Sequence, residues 1–138
     1  MERRHLLDTN TVLFFFTNRN ELTQNVLDEL EDYNNLLYVS VISVRELIHL
    51  YNHGRIRTRW KQATDFLSDI KSSRFELLPL RWEHLVTYAT LSTPKGHNDP
   101  NDHIIISQAI TERMILISSD RKFEQYTAQR LQLIFNGR

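Results

Sequence analysis

Asp8, Glu46, Asp102 and Asp120 lie far apart in the chain, yet each stands where a parallel α/β sheet would carry it to one edge. Asp8 directly follows the apolar run His5-Leu6-Leu7, and Asp120 follows Ile115-Leu116-Ile117-Ser118-Ser119. Glu46 falls in the first turns of a helix that follows a strand, and Asp102 opens a helix that leads back into one. In such a sheet, strand ends and the starts of the helices around them share one edge, which is where these folds put their active sites. Four carboxylates cannot crowd there in ionised form unless opposed charges neutralise them, some take up protons, or a cation is held between them. A hard divalent ion with oxygen ligands meets that need.

The elements that must position these acids can be read from the hydrophobic periods. Strands are expected at Arg4 to Leu7, Leu36 to Val41, Phe75 to Leu80, Met114 to Ser118 and Leu131 to Phe135. Helices are expected from Thr9 to Phe16, Glu21 to Tyr33, Ser43 to Gly54, Arg57 to Lys71, Trp82 to Leu91, Pro100 to Arg113 and Lys122 to Tyr126. Ser43 with Glu46 three residues on has the pattern of a capping box. Asp99-Pro100 has the pattern of an N-cap followed by proline in the first turn. Strands alternating with helices throughout predict a parallel sheet covered by helices on both faces. Trp60, Trp82 and most of the Phe residues are expected in the core.

A chain of 138 residues, 41% hydrophobic and 25% charged, is the size and composition of one globular domain, spanning 1–138. With no cysteine, thiolate catalysis, zinc fingers, iron–sulfur clusters and disulfides are excluded. That absence suits a cytoplasmic protein. No apolar core follows Met1-Glu2-Arg3-Arg4-His5, and the cluster Leu13 to Phe16 is too short to span a membrane. The formal net charge is zero, so no global basic excess points to nucleic acid. Charge is nevertheless uneven, and Arg55, Arg57, Arg59 and Lys61 form a basic stretch around Trp60. Because i and i+2 do not face together on a helix, these four would not make one helical stripe. The six histidines look scattered, with only His49 and His53 at helical i,i+4 spacing.

Four short motifs carry a family resemblance. Leu7-Asp8-Thr9-Asn10 resembles the opening motif of PIN domains. Ser40-Val41-Ile42-Ser43-Val44-Arg45-Glu46-Leu47 resembles the second, His97-Asn98-Asp99-Pro100-Asn101-Asp102 the third, and Ser118-Ser119-Asp120 with Phe123 and Tyr126 the fourth. In order and spacing, over essentially the whole chain, they are similar to small bacterial PIN proteins of the VapC toxin type. One mild departure is Ser118, where the family often has Thr. The resemblance implies a three-layer α/β/α fold with a central, mainly parallel sheet of about five strands. It implies a metal-dependent endoribonuclease using Mg²⁺ or Mn²⁺, a toxin held by a cognate antitoxin, and a homodimer.

Carried onto this chain, the resemblance makes Asp8, Glu46, Asp102 and Asp120 the catalytic acids. Asp8 and Asp102 are expected to contact metal directly, and Asp120 to orient metal water. Glu46 is expected to hold a water or accept a proton. Asn10, Ser43, Asp99 and Ser118 are supporting residues, and Arg55, Arg57, Arg59 and Lys61 are candidates for RNA or antitoxin contact. Magnesium takes only one or two direct carboxylates, so either some acids act through water or two ions bind. Taken singly, each acid also has a structural reading as a helix cap or turn residue. Two other functions stand beside the toxin: a PIN-like binding scaffold without catalysis, and a nuclease acting on DNA or structured nucleic acid. The 2′-hydroxyl is what separates RNA from DNA, and no residue here declares that preference.

Overall fold

The computed structural model describes residues 3–137; Met1, Glu2 and Arg138 lie outside the described residues. Five strands, β1 (Arg4–Leu7), β2 (Leu36–Ser40), β3 (Phe75–Leu78), β4 (Ile115–Ser118) and β5 (Gln132–Phe135), form one sheet in the order β3-β2-β1-β4-β5. Every neighbouring pair is parallel. The helices are α1 (Thr9–Thr17), α2 (Gln24–Glu31), α3 (Val41–Asn52), α4 (Ala63–Ser72), α5 (Trp82–Thr90) and α6 (Pro100–Glu112). Short 3₁₀ segments occupy Arg19–Glu21 and Arg121–Gln129.

Alternation along the strands divides the core in two, because successive side chains point to opposite faces of a sheet. Leu7, Leu37, Val39, Phe75 and Ile117 face a cluster with Val12, Val26, Leu30, Leu47, Phe66 and Ile70. Their neighbours Leu6, Leu78 and Leu116 face the other cluster, with Ile105, Ile106, Ala109, Phe123 and Tyr126. The result is the expected three-layer α/β/α arrangement with a parallel five-stranded sheet.

Strand order also fixes the site. From β1 the chain winds through β2 to β3 on one side, while β4 and β5 lie on the other, so the winding switches between β1 and β4. Leu7 pairs with Ile117 across that switch, and the Asp8 N–H donates to the Ile117 carbonyl at 3.1 Å. Asp8 therefore stands beside Ser118, just short of Asp120. A crevice outside the strand ends at such a switch is the ligand position of open α/β sheets.

Several boundaries differ from the sequence reading. The third helix starts at Val41, not after Ser43, because Ser40 is its N-cap and its hydroxyl accepts the Ile42 N–H at 3.1 Å. Glu46 is thus a turn deeper and takes no part in a capping box. The expected helix from Arg57 begins only at Ala63, and Gln62 and Asp65 form the capping pair there. From Arg55 to Lys61 the chain is irregular, with Arg55, Arg57, Arg59 and Lys61 exposed and Ile56, Thr58 and Trp60 turned inward. The alternation that does not fit a helix is the period of an extended segment. The second helix is shorter than Glu21 to Tyr33, and β3 stops at Leu78. Trp60 is buried as expected, but Trp82 is 75% exposed.

The Ser40 hydroxyl also donates to Gln108 Oε1 at 2.5 Å in the interior. Ser40→Ala removes the cap and strands the amide oxygen, and is expected to cost about 1–3 kcal/mol. Urea unfolding should show a lower midpoint at unchanged slope. A midpoint equal to the parent's would contradict this placement of the cap.

Candidate active site

Local helix chemistry explains why Asp8, Asp99, Asp102 and Asp120 sit where they do. Asp8 caps α1, and its Oδ1 accepts the Thr11 N–H at 2.9 Å and the Thr11 hydroxyl at 2.6 Å. Asp99 caps α6 through the Asn101 N–H at 2.9 Å, with Pro100 in the first turn and Asp102 following in that same turn. Asp120 caps the 3₁₀ segment, its Oδ1 accepting the Lys122 N–H at 2.9 Å. Helix starts favour negative charge near their free N–H groups. Structural capping and the shared edge are therefore the same fact.

Asp8, Glu46, Asp99, Asp102 and Asp120 line one cavity of about 180 Å³, with Thr9 and Asn10 in its wall. Among the described residues, the hydrogen bonds to each of the four principal acids fall on a single oxygen. Glu46 Oε1 accepts the Thr9 hydroxyl at 2.6 Å, and Thr9 also lies 3.1 Å from the Ser43 hydroxyl. Asp102 Oδ2 faces His97 Nε2 at 3.0 Å. Asp8 and Asp120 are both held through Oδ1. Ser118, fully buried, accepts the Asp120 N–H on its Oγ at 3.0 Å and so holds that backbone beside Asp8.

Among the described residues, no Lys or Arg pairs with any of these acids. Burial pushes the Asp8 carboxyl above its ordinary range, with the Asp120 charge adding to the shift and the Ser118 and Thr11 hydrogen bonds opposing it. Asp102 is pushed up to about 6, chiefly by burial and further by Asp99 and Asp8, against the pull of His97. Buried or half-buried, mutually repelling carboxylates, each with an oxygen left uncommitted, are the donor chemistry of a hard divalent cation.

One geometric grouping sets His97, Asp102 and Asp120 ligand atoms within 4.8 Å of one another. We read His97 as an orienting group and not as a ligand. An ionised Asp102 takes the proton on His97 Nε2, and in the neutral imidazole Nδ1 then accepts the Tyr126 hydroxyl at 2.7 Å. His103 Nε2 in turn donates to the His97 carbonyl at 2.7 Å. Second partners of this kind fix the orientation of metal-site carboxylates.

The PIN domain family model matches residues 5–129. The chain belongs to the PIN domain family. PIN nucleases work with divalent metal ions, and the pocket offers suitable oxygen donors. Among solved structures, a chain of VapBC2 from Rickettsia felis, bound to a DNA fragment from its promoter, superposes with a TM-score of 0.72 at 26% identity. It covers 96% of this chain and is itself 98% covered. A chain of VapBC-1 from nontypeable Haemophilus influenzae gives 0.69 at 21% identity, covering 98% and 99%. FitAcB from Neisseria gonorrhoeae gives 0.65 at 22% identity, covering 96% of each chain. The last two bear on the fold alone. Comparison with curated proteins gives no sequence match.

In this PIN domain the four principal acids meet, with Asn10, Ser43, Asp99 and Ser118 in or behind the pocket wall. The basic stretch does not join them. Arg57 and Arg59 lie beside Phe16 and Thr17 at the far end of α1, whose nine residues put them about 13 Å from its cap Asp8. Sequence reasoning missed the Thr9 clamp on Glu46 and the His97–Tyr126 relay. The five-residue spacing of His97 and Asp102 was visible, but only the loop between them brings the ring back onto the carboxylate.

The raised Asp102 value sets a pH dependence. The folded state holds a proton on Asp102 that the unfolded chain, near 3.8, gives up earlier. Its contribution favours folding in acid and is lost as pH rises through about 6. A cation competes with that proton. In melting experiments, the rise in Tm on replacing EDTA by Mn²⁺ should be small near about pH 5 and grow toward about pH 7.5. An equal rise at both ends would place metal binding away from these carboxylates.

Proposed function

We propose that this chain is a divalent-metal-dependent endoribonuclease acting as the toxin of a toxin–antitoxin pair. The observation that carries the reading is the convergence of Asp8, Glu46, Asp102 and Asp120 on one cavity without any neutralising Lys or Arg among the described residues. The likeness to a VapBC2 chain adds support for a toxin with a partner. RNA, as against DNA, comes from the resemblance of the four motifs to VapC-type toxins.

The free oxygens of Asp8, Asp102 and Asp120 would hold the ion, Mg²⁺ or Mn²⁺. When bound, it supplies a lowered water pKa and charge neutralisation at the phosphate. The chain's own residues do the positioning. Thr9 turns Glu46 so that Oε2 is left to orient the attacking water and receive its proton. Thr11 fixes Asp8, Ser118 fixes the Asp120 backbone, His97 fixes Asp102, and Asn10 stands at the pocket wall as a donor toward substrate.

A partner site is supported at the opposite end of α1. A cavity of about 510 Å³ there has Phe15, Phe16, Leu37 and Phe75 among its lining, with Arg19 and Arg59 at its rim. The four residues Leu13 to Phe16 are only half-buried against the core, leaving apolar surface for an amphipathic antitoxin segment. A second copy of the chain would cover α5, whose Trp82, Leu85 and Val86 are exposed at helical spacing. No helix among the described residues is long and apolar enough to cross a membrane, and a cytoplasmic location follows from this reading of its substrate.

Asp8→Asn and Asp102→Asn should each lower metal-dependent cleavage of total tRNA by about 100-fold or more, and Ser118→Ala by about 10-fold. Circular dichroism should report an intact fold. Undiminished cutting by both Asn variants would refute the assignment. Separately, Val86→Glu should shift the protein to monomer in sedimentation if α5 is the contact between copies.

A further inference from the structure

Arg45 immediately precedes Glu46 on α3, and its side chain crosses to the first turn of α6, where it donates to Asn101 Oδ1 at 3.0 Å. Asn101 is the residue before Asp102. Arg45 thus bridges the two helices that bring Glu46 and Asp102 to the pocket. It is exposed and, among the described residues, pairs with no carboxylate, although Glu46 adjoins it in the chain and Asp99 and Asp102 stand within two residues of its contact. A guanidinium has five N–H donors in a planar fork suited to phosphate. One bond to an amide oxygen leaves most of that fork unused.

The same face of the helix continues outward. His49 and His53 follow Arg45 at successive i,i+4 steps, about 6 Å apart along the axis. Both are exposed, and their rings lie 4.2 Å apart between centroids and 38° from parallel. His53 Nδ1 donates to the His49 carbonyl at 2.8 Å, which pins the second ring. The helix's apolar residues Val44 and Leu47 are buried on another side, so the ridge offers charge and ring faces but no apolar groove for a protein segment.

We propose that this ridge binds single-stranded RNA, with Arg45 gripping a phosphate flanking the scissile one and the His49–His53 pair stacking the adjoining base. The proposal rests on the nuclease reading for its substrate. Unstacked bases are read by stacking on aromatic rings, histidine included, while an Arg supplies the phosphate contact. Arg45 is a positioning residue in this scheme: it sets where the strand crosses the pocket and touches no reacting atom.

The test compares the parent with Arg45→Ala, Arg45→Lys and the double variant His49→Ala/His53→Ala. A short labelled single-stranded RNA of mixed sequence is bound in EDTA, followed by anisotropy, and the same RNA is cut in Mn²⁺. Arg45→Ala should weaken binding about 5- to 10-fold and reduce the salt slope by about 0.7, the share of one phosphate contact on a single strand. Cleavage should lose in KM and keep kcat within about twofold, since uniform binding is what is removed. Arg45→Lys should recover part of the affinity, and the double His variant should weaken binding without changing the salt slope. Parent-like affinity and salt slope in Arg45→Ala, with cleavage by the parent intact, would overturn the ridge and leave the nuclease standing. Arg45-dependent binding without any cleavage by the parent would support the ridge and remove the nuclease reading. An Arg45→Ala variant that loses a co-purifying protein but binds RNA as before would assign the ridge to that protein and overturn the proposal.

Discussion

Repulsion among carboxylates at one sheet edge is the constraint on which the rest of this protein depends. Oxygens of Asp102 and Asp120 come within 4.8 Å of each other. Two unit charges at that separation oppose each other by about 3–4 kcal/mol at an effective dielectric near 20. That is a large share of the roughly 5–15 kcal/mol by which a domain of this size is stable. An N-cap bond returns about 1 kcal/mol, so capping alone does not offset the crowding. What makes the arrangement tenable is proton uptake by buried groups in the absence of a cation, and a cation when the groups are ionised. Burial is the first cause of the upward shift of Asp8 and Asp102, and the charge of Asp120 on the one and of Asp99 and Asp8 on the other adds to it.

Structural and chemical readings of these acids are therefore not rivals. Asp8 and Asp120 are genuine N-caps, and each commits Oδ1 to the backbone. The commitment orients the other oxygen. Glu46 and Asp102 reach the same condition by other means, through the Thr9 hydroxyl and the His97 ring. Rigid elements with one fixed oxygen per acid give a pocket whose geometry is set before any ion or substrate arrives. Such pre-set sites avoid reorganisation during reaction. The topological switch between β1 and β4 supplies the concavity, and the helix starts supply the polarity.

Much of this was legible from the sequence because it follows from periodicity and from residue types with strong local preferences. The five strands carry alternating or continuous apolar runs, and Asp99-Pro100 announces a helix start. The errors have physical reasons. Ser40 and Ser43 both look like caps, and choosing between them depended on where β2 stopped pairing with β3. The Arg55 to Lys61 alternation makes no helical stripe because the segment follows the two-residue period around inward-facing Ile56, Thr58 and Trp60. The residue type of Trp82 points to the core. Yet α5 buries His84 alone, tying it to Glu112 at 2.7 Å, and turns its large apolar residues outward. The His97 relay depends on how a loop rich in Pro and Gly folds back, which no local pattern encodes.

Distance separates the chemistry from the apolar groove, and that has consequences for control. Helix α1 is capped by Asp8 and ends at Thr17, beside the cavity lined by Phe15, Phe16 and Phe75. The two sites are thus about 13 Å apart along that helix. A partner segment anchored only in the groove would leave the carboxylates accessible. To block them it must continue along α1 as an extended strand of about four residues, at roughly 3.3 Å each. Its last side chain must then meet uncompensated negative charge, which selects a cation, with arginine matching carboxylate geometry best. A divided device of this kind would place affinity in the apolar groove and inhibition at its tip. A substitution at either end would then separate binding from inhibition, because each end relies on a different interaction.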